Sequence, residues 1–156
     1  MKPDNILLKR VMDQYPMRTK IVDFGFAKSL DEDMYTETVA GTGAYMAPEI
    51  KSQSERGVGY TVLVDMWSVG AVLYHILCGA LPFPDPFTPV DRQPLNFPDD
   101  PWAEISDDAK DLIRKMLCPA DERLTAAACL EHPWMKQDPK LPVFFPVGVR
   151  NVDPNL

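Results

Sequence analysis

Asp23-Phe24-Gly25 lies downstream of Lys2 and Asn5, which stand at Lys-x-x-Asn spacing, and twenty-one residues separate Gly25 from Ala47-Pro48-Glu49. An ammonium group, an amide oxygen and a carboxylate in this order suit one kind of chemistry. Phosphoryl transfer asks a protein for oxygen ligands to Mg²⁺ and for a cation beside the moving phosphate. Asp23 and Asn5 fit the ligands, and Lys2 fits the cation. The plainer reading of the same residues is that Asn5 and Asp23 form turns and Lys2 is a terminal surface charge.

Such groups need elements that hold them in place. Asn5-Ile6-Leu7-Leu8 and Thr19-Lys20-Ile21-Val22 are short apolar runs separated by a polar stretch containing Pro16, a pattern that predicts two strands joined by a turn, with Asn5 and Asp23 close together. Residues 30–43 are acidic, rich in Thr and Gly and without apolar periodicity, so they read as a loop of the kind that carries regulation. From Val62 to Ala80 the chain is apolar on nearly every side, with Asp65, Ser68 and His75 as its strongly polar members. A membrane span competes for this stretch, but its length and the early Asp65 favour a buried central helix. Seven prolines between Leu81 and Pro101 predict a loop or a badly disrupted helix. Ser106 is a predicted N-cap for an amphipathic helix to Leu117, with Ala109, Leu112, Ile113, Met116 and Leu117 on one face. Thr125 could cap a further short helix from Ala126 to Leu130, ahead of Pro133. Met66, Trp67, Met116 and Trp134 read as core, and His75 and His132 as structural, since neither has a partner at metal-ligand spacing.

Composition narrows the function classes. With 156 residues the chain can build one domain or part of one. The 16 Lys and Arg against 23 Asp and Glu give a net charge of −7, which argues against nucleic acid as a partner. Cys78, Cys118 and Cys129 form no Cys-x-x-Cys pair and read as buried thiols of a reducing compartment, neither a disulfide framework nor a zinc site. The N-terminus has no signal-type apolar core, so a cytoplasmic or nuclear location is expected.

The ordered marks Lys2-x-x-Asn5, Asp23-Phe24-Gly25 and Ala47-Pro48-Glu49 resemble those of eukaryotic protein kinases. The resemblance covers residues 1–136, looks like the C-terminal lobe of a serine/threonine kinase, and is closest in flavour to the calcium/calmodulin-dependent group through Gly79 to Phe83, Trp102 to Leu117 and Arg123 to Trp134. It implies a mainly α fold with a short β-hairpin near the metal loop, followed by a tail over residues 137–156. It also implies ATP and Mg²⁺ as cofactors: Asp23 would bridge the phosphates through metal, Asn5 would hold the second Mg²⁺, and Lys2 would contact the γ-phosphate. The substrate would be a protein carrying a Ser or Thr acceptor. Thr42 matches the substrate-docking loop of serine/threonine-specific members, and Thr38 aligns with the common activating phosphosite, ahead of Tyr35 and Thr36. The plain alternative for Thr38 is a loop hydroxyl. Asp4 stands where basophilic members carry a Glu that attracts substrate Arg, or is simply a solvated acid. Glu49 and Arg123 resemble a buried pair tying the docking loop to the helical core, and Asp65 resembles the central-helix acid that caps the catalytic loop, or is a simple helix N-terminal acid.

In the family, the catalytic aspartate immediately precedes the position of Met1, and the Gly-rich loop, the ATP-pairing Lys and its Glu partner lie further upstream. The expectation is therefore an incomplete kinase fold lacking its N-lobe, inactive by itself, its exposed face covered by the missing lobe or by a protein partner. The alternative is a non-catalytic, kinase-like binding or scaffold protein. The segment after Phe83 is shorter than the family's usual one, and no basic amphipathic helix of the calmodulin-binding kind follows Trp134.

Overall fold

The computed structural model describes residues 1–9, 18–25, 43–50, 61–85 and 87–137. Thr38 and Thr42, with Tyr35 and Thr36, lie outside the described residues, as does the tail beyond Gln137.

Lys2 is extended, and Pro3 opens a 3-10 turn over Pro3–Asn5, its fixed φ suiting the first helical position. The turn delays the strand by one residue relative to the sequence expectation. Strand β1 (Ile6–Lys9) pairs antiparallel with β2 (Arg18–Ile21), Ile6 opposite Ile21 and Leu8 opposite Thr19. A further bond from Val22 N–H to the Asn5 carbonyl, 2.9 Å, extends the pairing to the residue before Asp23.

The central helix, α1, spans Leu63–Cys78. Thr61 Oγ1 accepts the Leu63 N–H at 3.3 Å, and Gly79 ends the helix at φ 75°, a left-handed geometry that costs glycine nothing. No helix among the described residues is long and apolar enough to cross a membrane. One side of α1 buries Trp67, Ala71 and Tyr74 in the main core. Ile76 is exposed, as is Val62 just before the helix, so cover is incomplete on a helix that is apolar nearly all round.

The proline-rich stretch is an ordered loop pinned by aromatics. It contains one 3-10 turn (Val90–Arg92) and the short helix α2 (Asp99–Trp102). Phe83 stacks on Trp67 at 5.5 Å, while Phe97 and Tyr74 pack on Trp102 at 4.6 and 4.7 Å between ring centroids. Gln93 braces the loop, its Nε2 donating to the carbonyls of Asp85 and Thr88 at 2.8 and 2.7 Å.

Helix α3 (Asp107–Met116) starts where the sequence predicts: Ser106 Oγ accepts the Ala109 N–H at 3.3 Å, and the predicted face of Ala109, Leu112, Ile113, Met116 and Leu117 is buried. Burial of side chains such as Leu112 or Ile113 contributes about 1.5–3 kcal/mol each. This face packs on α1 so closely that a Cβ on Gly70 would lie 2.8 Å from Met116 Cβ. Thr125 caps α4 (Ala126–Leu130), accepting the Ala128 N–H at 3.2 Å, and Pro133 opens a 3-10 turn over Pro133–Lys136. Of the three thiols only Cys129 is buried; Cys78 and Cys118 are partly exposed, because each follows the last turn of its helix or closes it at the surface.

Candidate active site

The hairpin places the candidate metal ligands. The Val22–Asn5 backbone bond closes the open end of the strand pair, so Asn5 and Asp23 leave it from adjacent rungs. Asp23 has φ 63°, uncommon for a residue with a side chain, and its Oδ1 accepts the Gly25 N–H at 3.3 Å. Gly25 fits because a Cβ there would come 3.3 Å from that oxygen. Asp23 is exposed and Asn5 is half-buried, with no side-chain hydrogen bond to Asn5 among the described residues. Its amide oxygen and the second oxygen of Asp23 are thus available to a cation. One carboxylate and one amide make a set that suits Mg²⁺, which takes few protein ligands and fills its octahedron with phosphate and water oxygens. Lys2 is half-buried and forms no ion pair among the described residues.

The second constellation links the segment around Glu49 to the helices. Arg123, with a fully buried side chain, grips Glu49 with two parallel bonds, Nη1 to Oε1 at 2.6 Å and Nη2 to Oε2 at 3.1 Å. It also donates to the Leu63 carbonyl at 2.8 Å and, through Nε and Nη2, to the Cys118 carbonyl at 3.2 and 3.0 Å. The guanidinium lies 5.1 Å from the centre of the Trp67 ring. Its donors thereby reach Glu49, the start of α1 and the end of α3, a set of tasks that the planar fork of Arg can meet and Lys cannot.

Tyr45 is a connection that sequence reasoning missed. Its hydroxyl hydrogen-bonds His75 Nδ1 at 2.8 Å, and its carbonyl accepts from Ser68 Oγ at 2.8 Å, so the 3-10 turn Gly43–Tyr45 is fastened to α1 twice. Burial pushes the Tyr45 phenol up, and the nearby Asp4 carboxylate adds to the shift. The Asp4 carboxylate is thus close enough to the Gly43–Tyr45 turn for its charge to be felt there. His75 and Ser68 were visible as polar residues in an apolar helix, but their partner lies 30 and 23 residues away. Asp65 is exposed in the first turn of α1, and its carboxylate makes no hydrogen bond among the described residues.

Comparison with known proteins decides the family. The protein kinase domain model matches residues 1–135. The chain belongs to the protein kinase family. It is similar to the probable serine/threonine-protein kinase fhkC of Dictyostelium discoideum, 41% identical over 86% of this chain and 23% of that protein. It is similar also to calcium-dependent protein kinase 19 of Arabidopsis thaliana, 36% identical over 88% of this chain and 25% of that protein. Among solved structures, the Rad53 kinase domain with SCD2, in complex with AMPPNP, superposes with a TM-score of 0.66 at 35% identity, covering 89% of this chain and 50% of that one. The kinase chain thus spans about a quarter of the length of these two relatives and half of the solved chain. Its fold is kinase-like, helical with a small two-stranded sheet.

Proposed function

We propose that this kinase chain supplies the metal-binding and substrate-docking part of a serine/threonine phosphoryl-transfer site that moves the γ-phosphate of ATP to a protein hydroxyl. The observation that carries the reading is the hairpin end, where Asn5 pairs through its carbonyl with Val22, the residue before Asp23. Asp23 and Asn5 would hold Mg²⁺, which supplies charge neutralisation to the phosphates, and Lys2 would contact the transferred group. Asp4, exposed beside Tyr45, would attract a basic residue on the peptide, with Thr42 in the docking loop and Thr38 as the regulatory phosphosite. ATP as cofactor draws support from the AMPPNP complex of the Rad53 domain.

These residues amount to part of a catalytic site, the C-lobe part by family resemblance. The 156 residues hold no His-Arg-Asp triplet and no Gly-x-Gly-x-x-Gly phosphate loop. Positioned general-base help alone is worth about 10²- to 10⁴-fold. The chain by itself is therefore expected to give no measurable turnover, while the endogenous protein captured through residues 137–156 phosphorylates a Ser/Thr peptide with Mg-ATP. Asp23→Asn in that endogenous protein should lower kcat by 10³-fold or more, about 4 kcal/mol. Turnover by the pure 156-residue chain would refute its incompetence, and an active Asp23→Asn variant would refute the metal assignment.

The second reading, a non-catalytic binding module, is favoured by the hairpin surface, where Leu8 and Phe24 are 58% and 68% exposed. It would gain if the endogenous protein had no activity and kept a fixed partner on that surface.

A further inference from the structure

The loop between α1 and α2 carries a cleft of about 490 Å³ that the proposed chemistry does not use. Tyr74, Leu81, Pro82, Pro94 and Pro98 give it apolar walls, and Asp85 and Arg92 are its charged members. Phe87, which lies in the chain between the cleft residues Asp85 and Thr88, is 93% exposed, more than any other large hydrophobic side chain among the described residues. Its backbone is held in place. The Phe87 N–H donates to Asp85 Oδ1 at 2.9 Å, Thr88 Oγ1 donates to Asp85 Oδ2 at 2.5 Å, and the Asp85 N–H donates to Gln93 Oε1 at 3.1 Å. An aromatic side chain on so braced a loop loses little freedom on binding, so more of its contact energy appears as affinity.

We propose that this loop docks a basic protein segment, which lays an apolar side chain in the cleft against Phe87 and sets its lysines or arginines along the surrounding carboxylates. Charge decides the occupant. Between Leu81 and Glu104 five acids, Asp85, Asp91, Asp99, Asp100 and Glu104, stand exposed against one base, Arg92, so this stretch carries −4 of the chain's −7. Asp91 adjoins Arg92 in the chain and Asp99 adjoins Pro98, both of them cleft residues, so the acids border the apolar seat. A second copy would bring the same −4 to the contact, and like charges facing each other across an interface oppose it. A nucleic acid or an acidic peptide meets the same repulsion. A positively charged segment is instead drawn in, most strongly at low salt. One aromatic knob and one cleft make a small contact, under about 1,200 Å², of the class that forms transient complexes. Docking here needs no metal and no phosphate transfer, so its outcome is independent of the proposed catalytic role.

Fluorescence anisotropy of a labelled nine-residue peptide, one leucine between two runs of four arginines, measures the docking on the full 156-residue chain. Phe87→Ser should weaken binding about tenfold, and so should serine in place of the peptide's leucine, because each removes a buried apolar group. Phe87 is exposed, so its replacement leaves the fold intact. Asp91→Asn with Asp99→Asn should weaken binding by a similar factor and flatten its dependence on salt. Asp85 stays unaltered, since both of its oxygens hold the loop. Asp107→Asn with Asp108→Asn makes the same change of net charge on α3, and Asp4→Asn removes the acid beside Tyr45; neither should shift the affinity by more than about twofold. The proposal is overturned if the peptide does not bind, or if Phe87→Ser binds it as tightly as the wild type. It is overturned too if the α3 pair or Asp4→Asn weakens binding as much as the loop pair, since overall charge or the hairpin would then be the cause. A chain that sediments as a dimer at micromolar concentration, but as a monomer in its Phe87→Ser variant, also overturns it and assigns the surface to a second copy.

Discussion

The two ends of this molecule are built on different terms. In the helical part the packed face of α3, the aromatic cluster around Trp102 and the Arg123 network hold several elements at once. The hairpin, which carries the candidate chemistry, leaves Leu7, Leu8 and Ile21 about half exposed and Asp23 in the open. Where the protein needs rigidity it buries charge and fills space; where it would handle phosphate and metal it leaves oxygen atoms free and forgoes packing. The price of that division is that stability and activity respond to different residues. On the proposed function, Asp23→Asn should thus lower phosphate transfer by the endogenous protein 10³-fold or more with little change in unfolding free energy, whereas the helical part should show the reverse.

Arg123→Met gives the largest stability effect. It removes the guanidinium from Glu49 and from two backbone carbonyls, and leaves Glu49 with its main counter-charge gone. Breaking one side of a buried pair costs about 3–5 kcal/mol. Urea unfolding of the purified chain should show this as a lower midpoint with an unchanged slope. Gly70→Ala comes next, at about 1–3 kcal/mol for overpacking. Its new methyl would meet Met116 Cβ at 2.8 Å, a rigid atom near the backbone of α3, so the helices must part. A neutral Gly70→Ala would mean that the α1–α3 contact is looser than the rest of the helical part.

Most of that helical part was legible because its signals are local. Ser106 and Thr125 were recognised as caps from the residues that follow them, and the α3 face from its spacing. The hairpin was legible to within one residue; the shift comes from the Pro3–Asn5 turn, which takes Asn5 out of the strand. The order within residues 81–101 was not legible, since prolines announce only what cannot form. What forms instead depends on Phe83 and Phe97 finding Trp67 and Trp102. At the site, the Glu49–Arg123 pair came from resemblance. Its carbonyl partners, and the Tyr45–His75 bond, had no sequence signal because they join residues far apart in the chain.

Asp111 is a half-exposed charge within the helical part that holds two partners at once. Lys115, at 2.7 Å, and His132, at 2.9 Å, hydrogen-bond the same Oδ2 and hold the carboxyl below its usual range. His132 Nδ1 accepts the Trp134 N–H, so Nε2 carries the proton that goes to Asp111. Because the folded pKa is depressed, the carboxylate's contribution is present above the unfolded value near 3.9 and is lost as pH falls through the lower folded value. Asp111→Asn keeps an acceptor for His132 while removing the charge. With half of the side chain exposed, it should cost no more than about 1 kcal/mol at neutral pH. The gap between wild type and variant should close on acidification below about pH 4. A gap that widens there would show that the charge is not what holds this corner.

The smallest effect belongs to the hairpin and tests the comparison most sharply. Leu8 is 58% exposed and faces Thr19 across the strand pair. Leu8→Thr replaces it with a β-branched residue that suits a strand and can hydrogen-bond its threonine neighbour. As a surface change it should alter unfolding free energy by no more than about 0.5 kcal/mol in either direction. If the purified chain instead loses more than about 1 kcal/mol, Leu8 is covered in solution by something that excludes water, since an exposed leucine has no such energy to lose. The hairpin would then be a second packed region, and the division between a rigid scaffold and an open site would fail at the place where the chemistry is assigned.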